Sequence, residues 1–231
     1  MHRPKSTLFM LMSVDGKIST GDADIMDVDR NFPQINGLKE GLQQYYDLEQ
    51  TTDLFSLNTG CVFAKVGCNE KTDAPAKLPV TFVVIDNQPH LTKQGISYLA
   101  KKAKDLILVT TNKEHPVFSM QEEHANLHPM LYAERVDFAD LFRKLKIEYK
   151  ADALTIQSGG TLNATLVRAG LIDRVLLVVA PALIGGNKTA TLIDGDSLHA
   201  PDELSKIKTL ELIQAKPLDN SYLLLEYRVK N

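Results

Sequence analysis

The chain has 231 residues, 44% of them hydrophobic, which is enough for one substantial core, so the length predicts a single domain over residues 1–231. The charge is nearly balanced, with 26 Lys and Arg residues against 29 Asp and Glu residues, and there is no basic block to neutralise a nucleic-acid backbone, so we expect no nucleic-acid partner. Cys61 and Cys68 are too few for a disulfide framework or a paired zinc site, and we expect reduced, buried or half-buried thiols and no bound metal.

The first apolar run, residues 8–14, follows a basic N-terminus, as the core of a secretion signal does. It is short and meets Asp15 without a small-residue cleavage site, so we interpret it as a first strand. The longest apolar run elsewhere, residues 175–184, contains Pro181 and is too short to cross a bilayer. These features predict a cytoplasmic protein with no membrane partner.

Short runs rich in leucine and β-branched residues recur along the chain and predict strands. In chain order they cover residues 8–14, 54–64, 80–85, 106–111, 154–157, 174–180, 209–215 and 222–229. Apolar residues at helical spacing predict helices over 38–51 and over 137–149, the second with Asp137 as its N-cap. Segment 21–33, rich in Asp, and segment 67–79, rich in Lys, Pro and Asp, are predicted to be mobile loops.

The alternation of strands and helices predicts an α/β fold with a largely parallel sheet. In the run RVLLVVA over 174–180, every residue after Arg174 is apolar, so both faces of the strand are apolar. Such a pattern is expected for a strand that is covered on both sides. The last two predicted strands are separated only by KPLDNS, which leaves no room for a helix. We therefore expect them to pair as a C-terminal antiparallel hairpin, which makes the sheet mixed.

A double glycine between a strand and a helix is the feature most indicative of chemistry. Gly159 and Gly160 follow the strand ending at Gln157, and a short helix is predicted from about Thr161 until Gly170 closes it. Glycines let a ligand approach the backbone, and a helix start offers N–H groups to a phosphate. Considered alone, the pair indicates a tight turn as readily as a phosphate site.

Two segments together resemble a known family. SVDGKI near the start and SGGTLNATLVRAGLIDRVLLVVAPALIGG near the end are similar to the signature segments of the riboflavin-biosynthesis reductase domain, a member of the dihydrofolate-reductase-like superfamily. The resemblance implies a dihydrofolate-reductase-like three-layer sandwich, NADPH as cofactor, hydride transfer to a small-molecule substrate and a homodimer. The HxE and PCxxC zinc motif of the companion deaminase is absent from the sequence.

The resemblance also implies which residues line the cofactor. The matching positions are Leu11, Met12 and Ser13 at the nicotinamide; Asn58, Gly60 and Cys61 in a cofactor-lining turn; Asn87 and Gln88 at the adenosine 2′-phosphate; and Gly159, Gly160, Thr161 and Leu162 at the pyrophosphate. Lys65 is a further candidate for a phosphate contact, with a solvated surface lysine as the alternative.

Three positions depart from the pattern of the riboflavin enzymes. Phe9 stands where the family tends to have a Lys, Glu49 where it has an Arg, and Gln157 where it has a Glu before the glycine pair. Each change alters charge, and a phosphoribosyl substrate needs basic partners. We therefore hypothesise that the substrate is not the phosphoribosylaminouracil intermediate.

Two residues are candidates for the chemistry itself. Asp15 could orient a substrate or relay a proton, and it could equally act as a turn residue that binds backbone N–H groups, the role that we favour. Gln157 could hydrogen-bond a heterocycle edge but cannot act as an acid. His124 and His128 stand four apart, but Pro129 argues against a helix there, and we interpret them as surface residues and not as metal ligands.

The resemblance thus implies an NADPH-dependent reductase that transfers hydride to a small heterocyclic or carbonyl-like substrate, of the 5-amino-6-(5-phosphoribosylamino)uracil reductase type with a diverged substrate. The substrate is expected between Asp15, the loop 21–33 and Gln157. The alternatives are a nucleotide-binding protein that has lost catalysis and a structural subunit that keeps only the fold.

Overall fold

The computed structural model describes residues 2–73 and 75–230, and these form an α/β protein. The strands are β1 Lys5–Ser13, β2 Phe55–Thr59, β3 Thr81–Ile85, β4 Asp105–Thr110, β5 Leu127–Leu131, β6 Ala153–Ile156, β7 Arg174–Ala180, β8 Thr209–Pro217 and β9 Leu223–Lys230. The helices are α1 Val28–Asn31, α2 Gln43–Glu49, α3 Gly60–Lys65, α4 Lys93–Lys102, α5 Phe138–Ile147 and α6 Gly160–Arg168. Among the helices described, none has the length and apolar character to cross a membrane.

The chain divides into two compact units, each described separately below. The first contains Asp53–Ser158 together with the first residues of the chain, and the second contains Lys5–Thr52 and the chain from residue 159 onward. The prediction of one domain over residues 1–231 stays a prediction.

The first unit is built on parallel strands in the order β5-β4-β3-β2-β6. Neighbouring residues of β3, Val83 and Val84, point to opposite faces of the sheet and are both fully buried, so this sheet is covered on both sides. One face packs on α4 through Ile96 and Leu99. Because all these strands run the same way, their carboxyl ends lie along one edge, where the predicted residues of this unit follow them.

The second unit combines parallel and antiparallel pairing. β1 pairs with β7 in parallel, β7 with β9 antiparallel, and β9 with β8 antiparallel. Phe9 and Leu11 of β1 pack in one core cluster with Phe32 and with Tyr45 of α2. The predicted C-terminal hairpin is confirmed, with an irregularity in β8 between Leu212 and Gln214.

Several predicted elements are confirmed and others are corrected. Helix α5 has the predicted N-cap, since Asp137 accepts a hydrogen bond from the Asp140 N–H at 3.0 Å. The predicted helix over 38–51 is wrong in its first part, because only Gln43–Glu49 forms an α-helix. The predicted loop 21–33 contains α1 and the fully buried Phe32. The loop was predicted from its Asp content, which does not show that the side chains of Val28 and Phe32 are buried in the core cluster.

The predicted strand over 54–64 is also wrong in its second half, where residues 60–65 form α3. The Thr59 hydroxyl accepts a hydrogen bond from the Val62 N–H and starts the helix, a cap that the apolar run concealed. Strand β5 was not predicted. It contains His128 and Pro129, and proline is tolerated there because β5 ends the strand order of its unit.

Candidate functional site

In the first unit, two predicted residues are connected through a serine. Asn58 on β2 is 5% exposed, and its Nδ2 donates to Ser56 Oγ at 2.8 Å. Ser56 Oγ in turn donates to Gln157 Oε1 at 3.4 Å. Strands β2 and β6 pair in parallel, which brings Asn58 and Gln157 to the same edge of the sheet. The arrangement orients the Gln157 amide, and it gives Asn58 a structural role that the sequence did not predict.

The predicted cofactor turn at Gly60 is the start of helix α3. A Cβ on Gly60 would lie 2.2–2.5 Å from the carboxylate atoms of Asp86, so only glycine fits there. Cys61, in the first helical turn, and Lys65, the last residue of α3, are both half-buried. Gly60 is thus required by the protein's own packing, and its side-chain-free backbone need not be explained by a ligand.

Asn87 and Gln88 follow β3 and are both exposed. The Asn87 Oδ1 accepts a hydrogen bond from the Thr111 N–H at 3.0 Å. Because that contact fixes the oxygen, the amide NH2 group faces away from Thr111 as a hydrogen-bond donor. Asn87 can therefore offer N–H groups to an anionic acceptor at this edge of the sheet.

Asp86, which the sequence analysis missed, lies beside these residues. It is 1% exposed and contacts two imidazoles, His90 Nδ1 at 2.9 Å and His115 Nε2 at 3.2 Å. Burial would raise the pKa of Asp86, but hydrogen bonds from His115, Leu91 and His90 outweigh burial, so the pKa is lowered. A carboxylate directly after the apolar strand TFVVI was the available sequence signal.

In the second unit, β1 ends at the predicted residues Leu11, Met12 and Ser13. Leu11 is buried in the core cluster, Met12 is half-buried and Ser13 is fully buried. The Ser13 hydroxyl donates to Asp15 Oδ1 at 2.5 Å and accepts from the Lys17 N–H at 2.9 Å. These side chains shape the turn after β1.

Asp15 holds a second segment of the chain through its carboxylate. It accepts hydrogen bonds from the Gly185 N–H at 2.6 Å and the Ile184 N–H at 3.1 Å. The Lys17 Nζ donates to the carbonyl groups of Gly186 and Thr189. The start of the first signature segment, SVDGK, is thus bound to the end of the second, ALIGG, by the oppositely charged side chains of Asp15 and Lys17.

The environment of Asp15 bears on its predicted catalytic role. Hydrogen bonds from Ser13 and from the Gly185 N–H lower the pKa of Asp15 to about 2. A carboxyl group with that pKa carries no proton to donate near neutral pH. The geometry favours the alternative in which Asp15 binds backbone N–H groups, although the partners are on 184–185 and not within its own turn.

The double glycine lies at the start of α6, with Gly159 as N-cap and no side-chain cap. A Cβ on Gly160 would lie 2.2 Å from the Thr191 carbonyl oxygen and 2.3 Å from an Asp194 carboxylate oxygen, whereas one on Gly159 would have nothing within 4 Å. The Cβ side of Gly160 is therefore occupied by the protein's own turn, whereas Gly159 faces open space, and the pyrophosphate role of the two glycines stays a prediction. Thr161 is exposed and Leu162 half-buried in the first turn.

Phe9 and Glu49, two of the three positions that depart from the family pattern, both lie in the second unit. Phe9 is fully buried and stacks on Tyr45 with ring centroids 5.1 Å apart. Glu49 is the last residue of α2. Asp29 of α1, another residue that the sequence analysis missed, accepts a hydrogen bond from the Tyr46 hydroxyl at 2.8 Å. Burial raises the pKa of Asp29 to about 6, and the charges of Asp27 and Glu49 add to the rise.

His124, His128 and the two cysteines also have defined surroundings. His124 contacts Ser97 Oγ at 3.1 Å and His128 contacts Asp105 at 3.3 Å, and both are half-buried, so the prediction of surface positions is only partly right. Cys61 is half-buried and Cys68 is buried, in agreement with the predicted burial of the two side chains. Among the described residues no group of His, Cys, Asp and Glu side chains is arranged to hold a metal ion.

Comparison with known sequences gives an end-to-end similarity. Residues 4–224 match the family model described as the RibD C-terminal domain. The 2,5-diamino-6-ribosylamino-4(3H)-pyrimidinone 5′-phosphate reductase of Methanothermobacter thermautotrophicus is 27% identical over 231 residues, which cover 99% of each chain.

Comparison with solved structures gives the fold. The RibD protein of Acinetobacter baumannii superposes with a TM-score of 0.70 at 14% identity over 100% of this chain, which spans 59% of that longer protein. Dihydrofolate reductase of Enterococcus faecalis, solved with NADP(H), gives a TM-score of 0.50 at 13% identity over 98% of this chain and 97% of the other. The dihydrofolate-reductase-like sandwich predicted from the sequence is confirmed.

Proposed function

Since this chain belongs to the RibD C-terminal domain family, we propose that it is an NADPH-dependent reductase of 2,5-diamino-6-ribosylamino-4(3H)-pyrimidinone 5′-phosphate. The observation that carries the proposal is the similarity to the Methanothermobacter reductase, which extends over 99% of both chains. A protein that matches a reductase from end to end has kept the whole of its catalytic fold, which argues for the enzyme over a structural subunit.

Each unit, considered separately, has described residues that suit one part of the cofactor. In the second unit, the open side of Gly159 and the start of α6 suit a pyrophosphate, with the nicotinamide at Leu11, Met12 and Ser13. In the first unit, the donor group of Asn87 suits the 2′-phosphate that distinguishes NADPH from NADH. NADPH supplies the hydride, and the protein's contribution is to bind and orient the two reactants. The NADP(H) in the Enterococcus relative's structure supports the same cofactor class.

The changed charges bear on the substrate. The pyrimidinone named for the Methanothermobacter relative has an amino group at position 2, where a uracil has a carbonyl group. Asp29, within the proposed substrate loop, and Glu49, whose charge acts on Asp29, are carboxyl groups, and hydrogen-bond acceptors suit an amino group and oppose a carbonyl group. Phe9, stacked on Tyr45, puts no cation at its position on β1, but both pyrimidines carry a 5′-phosphate, so this change does not distinguish them. The carboxyl groups of Asp29 and Glu49 support the hypothesis that the phosphoribosylaminouracil is not the substrate.

A comparison of substrates tests the proposal directly. Oxidation of NADPH is followed at saturating cofactor with the diaminopyrimidinone phosphate and, in parallel, with 5-amino-6-(5-phosphoribosylamino)uracil. We expect kcat/KM to be at least about tenfold higher for the diaminopyrimidinone, the ratio that one extra unfavourable polar contact produces. Equal or faster turnover of the uracil would refute the substrate assignment.

The same assay separates the reductase from the binding-only alternative. Saturable NADPH binding without turnover of either pyrimidine would favour a nucleotide-binding protein that has lost catalysis. Absence of saturable binding of both NADPH and NADH would remove the oxidoreductase altogether.

We further propose that the protein acts in the cytoplasm as a homodimer.

A further inference from the structure

The side chain of Asp86 is completely engaged by the protein around it. Oδ1 accepts from the His90 N–H at 3.2 Å and lies 2.9 Å from His90 Nδ1. Oδ2 accepts from the Leu91 N–H at 3.0 Å and lies 3.2 Å from His115 Nε2. The carboxylate is 1% exposed, so these contacts replace its hydration.

The protonation of His115 follows from its other contact. His115 Nδ1 accepts a hydrogen bond from the Val117 N–H at 3.2 Å, so this nitrogen carries no proton. The proton of the neutral ring is then on Nε2, which donates it to Asp86. His115 thus connects the short 3-10 helix Pro116–Ser119, which follows β4, to the end of β3.

An acidic residue at the end of a strand often selects NADH, because its carboxylate accepts hydrogen bonds from the ribose hydroxyls. Asp86 cannot do so, since it is buried and both its oxygens accept bonds from its own loop. The exposed polar group that follows it is the Asn87 amide, which presents N–H donors. Donors suit the oxygens of a 2′-phosphate.

We propose that Asp86 is a positioning residue that determines the preference for NADPH over NADH, by fixing the loop 87–91 so that the Asn87 amide meets the 2′-phosphate. The inference rests on the proposed function. Asp86 fixes the loop from inside through His90 and Leu91, while Thr111 fixes Asn87 from the neighbouring strand end. With the loop held on both sides, Asn87 does not have to be ordered when the cofactor binds.

Two substitutions of His115 separate positioning from general stability. Glutamine places an N–H donor near the Nε2 position and keeps the bond to Asp86, whereas asparagine places an oxygen near the Nδ1 position and keeps only the bond to Val117. We expect His115→Asn to weaken NADPH binding about tenfold, because a displaced loop loses the hydrogen bond from the Asn87 amide to the charged 2′-phosphate. Binding of NADH, which has no 2′-phosphate, should change by less than about twofold. His115→Gln should keep the wild-type ratio of the two affinities.

Asp86→Asn gives an independent measurement. In either orientation of the amide, its NH2 group faces a backbone N–H, that of His90 or that of Leu91, so the loop cannot stay in place. We expect the same selective loss of NADPH affinity as for His115→Asn. Dissociation constants from nicotinamide fluorescence and the rise in melting temperature with each dinucleotide provide readouts that do not require turnover.

The outcomes are distinguishable. Equal losses of NADPH and NADH affinity in His115→Asn, or identical ratios in His115→Asn and His115→Gln, would overturn the positioning role. Should Asp86→Asn fail to fold, the His115 pair still decides. A wild-type protein that binds neither dinucleotide would refute the proposed function itself, whereas wild-type binding without the selective loss would refute only this inference.

Discussion

The two adjacent glycines at the start of α6 have different surroundings, so alanine substitutions at Gly159 and at Gly160 should have different effects on NADPH binding and on stability. Gly159 has φ −71° and ψ 158°, which alanine adopts freely, and open space around it. We expect Gly159→Ala to change the free energy of unfolding by less than about 1 kcal/mol and to weaken NADPH binding about 5- to 30-fold, equivalent to 1–2 kcal/mol. Fluorescence titration and thermal melting measure the two effects.

Gly160→Ala is the matched control. Its methyl group would meet the Thr191 carbonyl oxygen at 2.2 Å, and a backbone atom cannot rotate away, so we expect a loss of about 1–3 kcal/mol in the free energy of unfolding. Unchanged NADPH affinity in Gly159→Ala would place the pyrophosphate elsewhere.

Asp15 gives a prediction about acid stability. Its pKa is about 2 in the folded protein against an ordinary value of 3.8, so its deprotonated form stabilises the fold above pH 4, and that contribution is lost as the pH falls towards 2. We expect Asp15→Asn to melt below the wild type at pH 7 and the difference to disappear near pH 2. A kcat profile with a step near pH 4 to 7 that Asp15→Asn abolishes would restore a proton-transfer role.

At the scale of elements, helix α1 carries a carboxyl group whose pKa is shifted the opposite way. Asp29 has a pKa of about 6, raised by burial from 3.8, so its effect on stability is most favourable below pH 3.8 and is lost as the pH rises through 6. Asparagine can still accept the Tyr46 bond without acquiring a charge. We therefore expect Asp29→Asn to melt above the wild type at pH 8 and not at pH 4. The reverse order at pH 8 would contradict the buried-charge explanation.

The elements that the sequence mispredicted share a cause. The run from Phe55 to Ala64 is rich in apolar residues on both sides of Thr59, and hydrophobicity alone does not show that the strand must end at Thr59, where Asp86 lies against Gly60. Strand β5 escaped prediction because a proline and a histidine weaken its pattern, and only its place at the end of the strand order makes them acceptable. The end of β2 at Thr59 and the formation of β5 both depend on residues distant in sequence.

At the scale of the molecule, strand β8 is a candidate contact between two copies of the chain. It pairs with β9 on one side and with no other described strand, and Leu212 and Ile213 are 55% and 46% exposed. Edge strands of this kind can pair with their own copy about a twofold axis. If the expected homodimer uses this edge, Leu212→Glu or Ile213→Glu should give a monomer in sedimentation analysis.

Ile147 on α5 provides the control for that experiment, since it is 47% exposed on a different element. Ile147→Glu should leave the oligomeric state unchanged. A wild-type monomer, or a dimer that tolerates charges on β8, would contradict this interface.

The sequence by itself determined the features that depend on local pattern: the α/β class, the C-terminal hairpin, the Asp137 cap of α5 and the family to which the signature segments belong. Periodicity, capping residues and turn residues act over a few positions, so they can be read along the chain. Only the tertiary structure decided which polar residues are engaged. Asp86 with His115, Asp15 with Gly185 and Asn58 with Gln157 are contacts or connections across distant segments, because parallel strands bring residues far apart in sequence to one edge of a sheet.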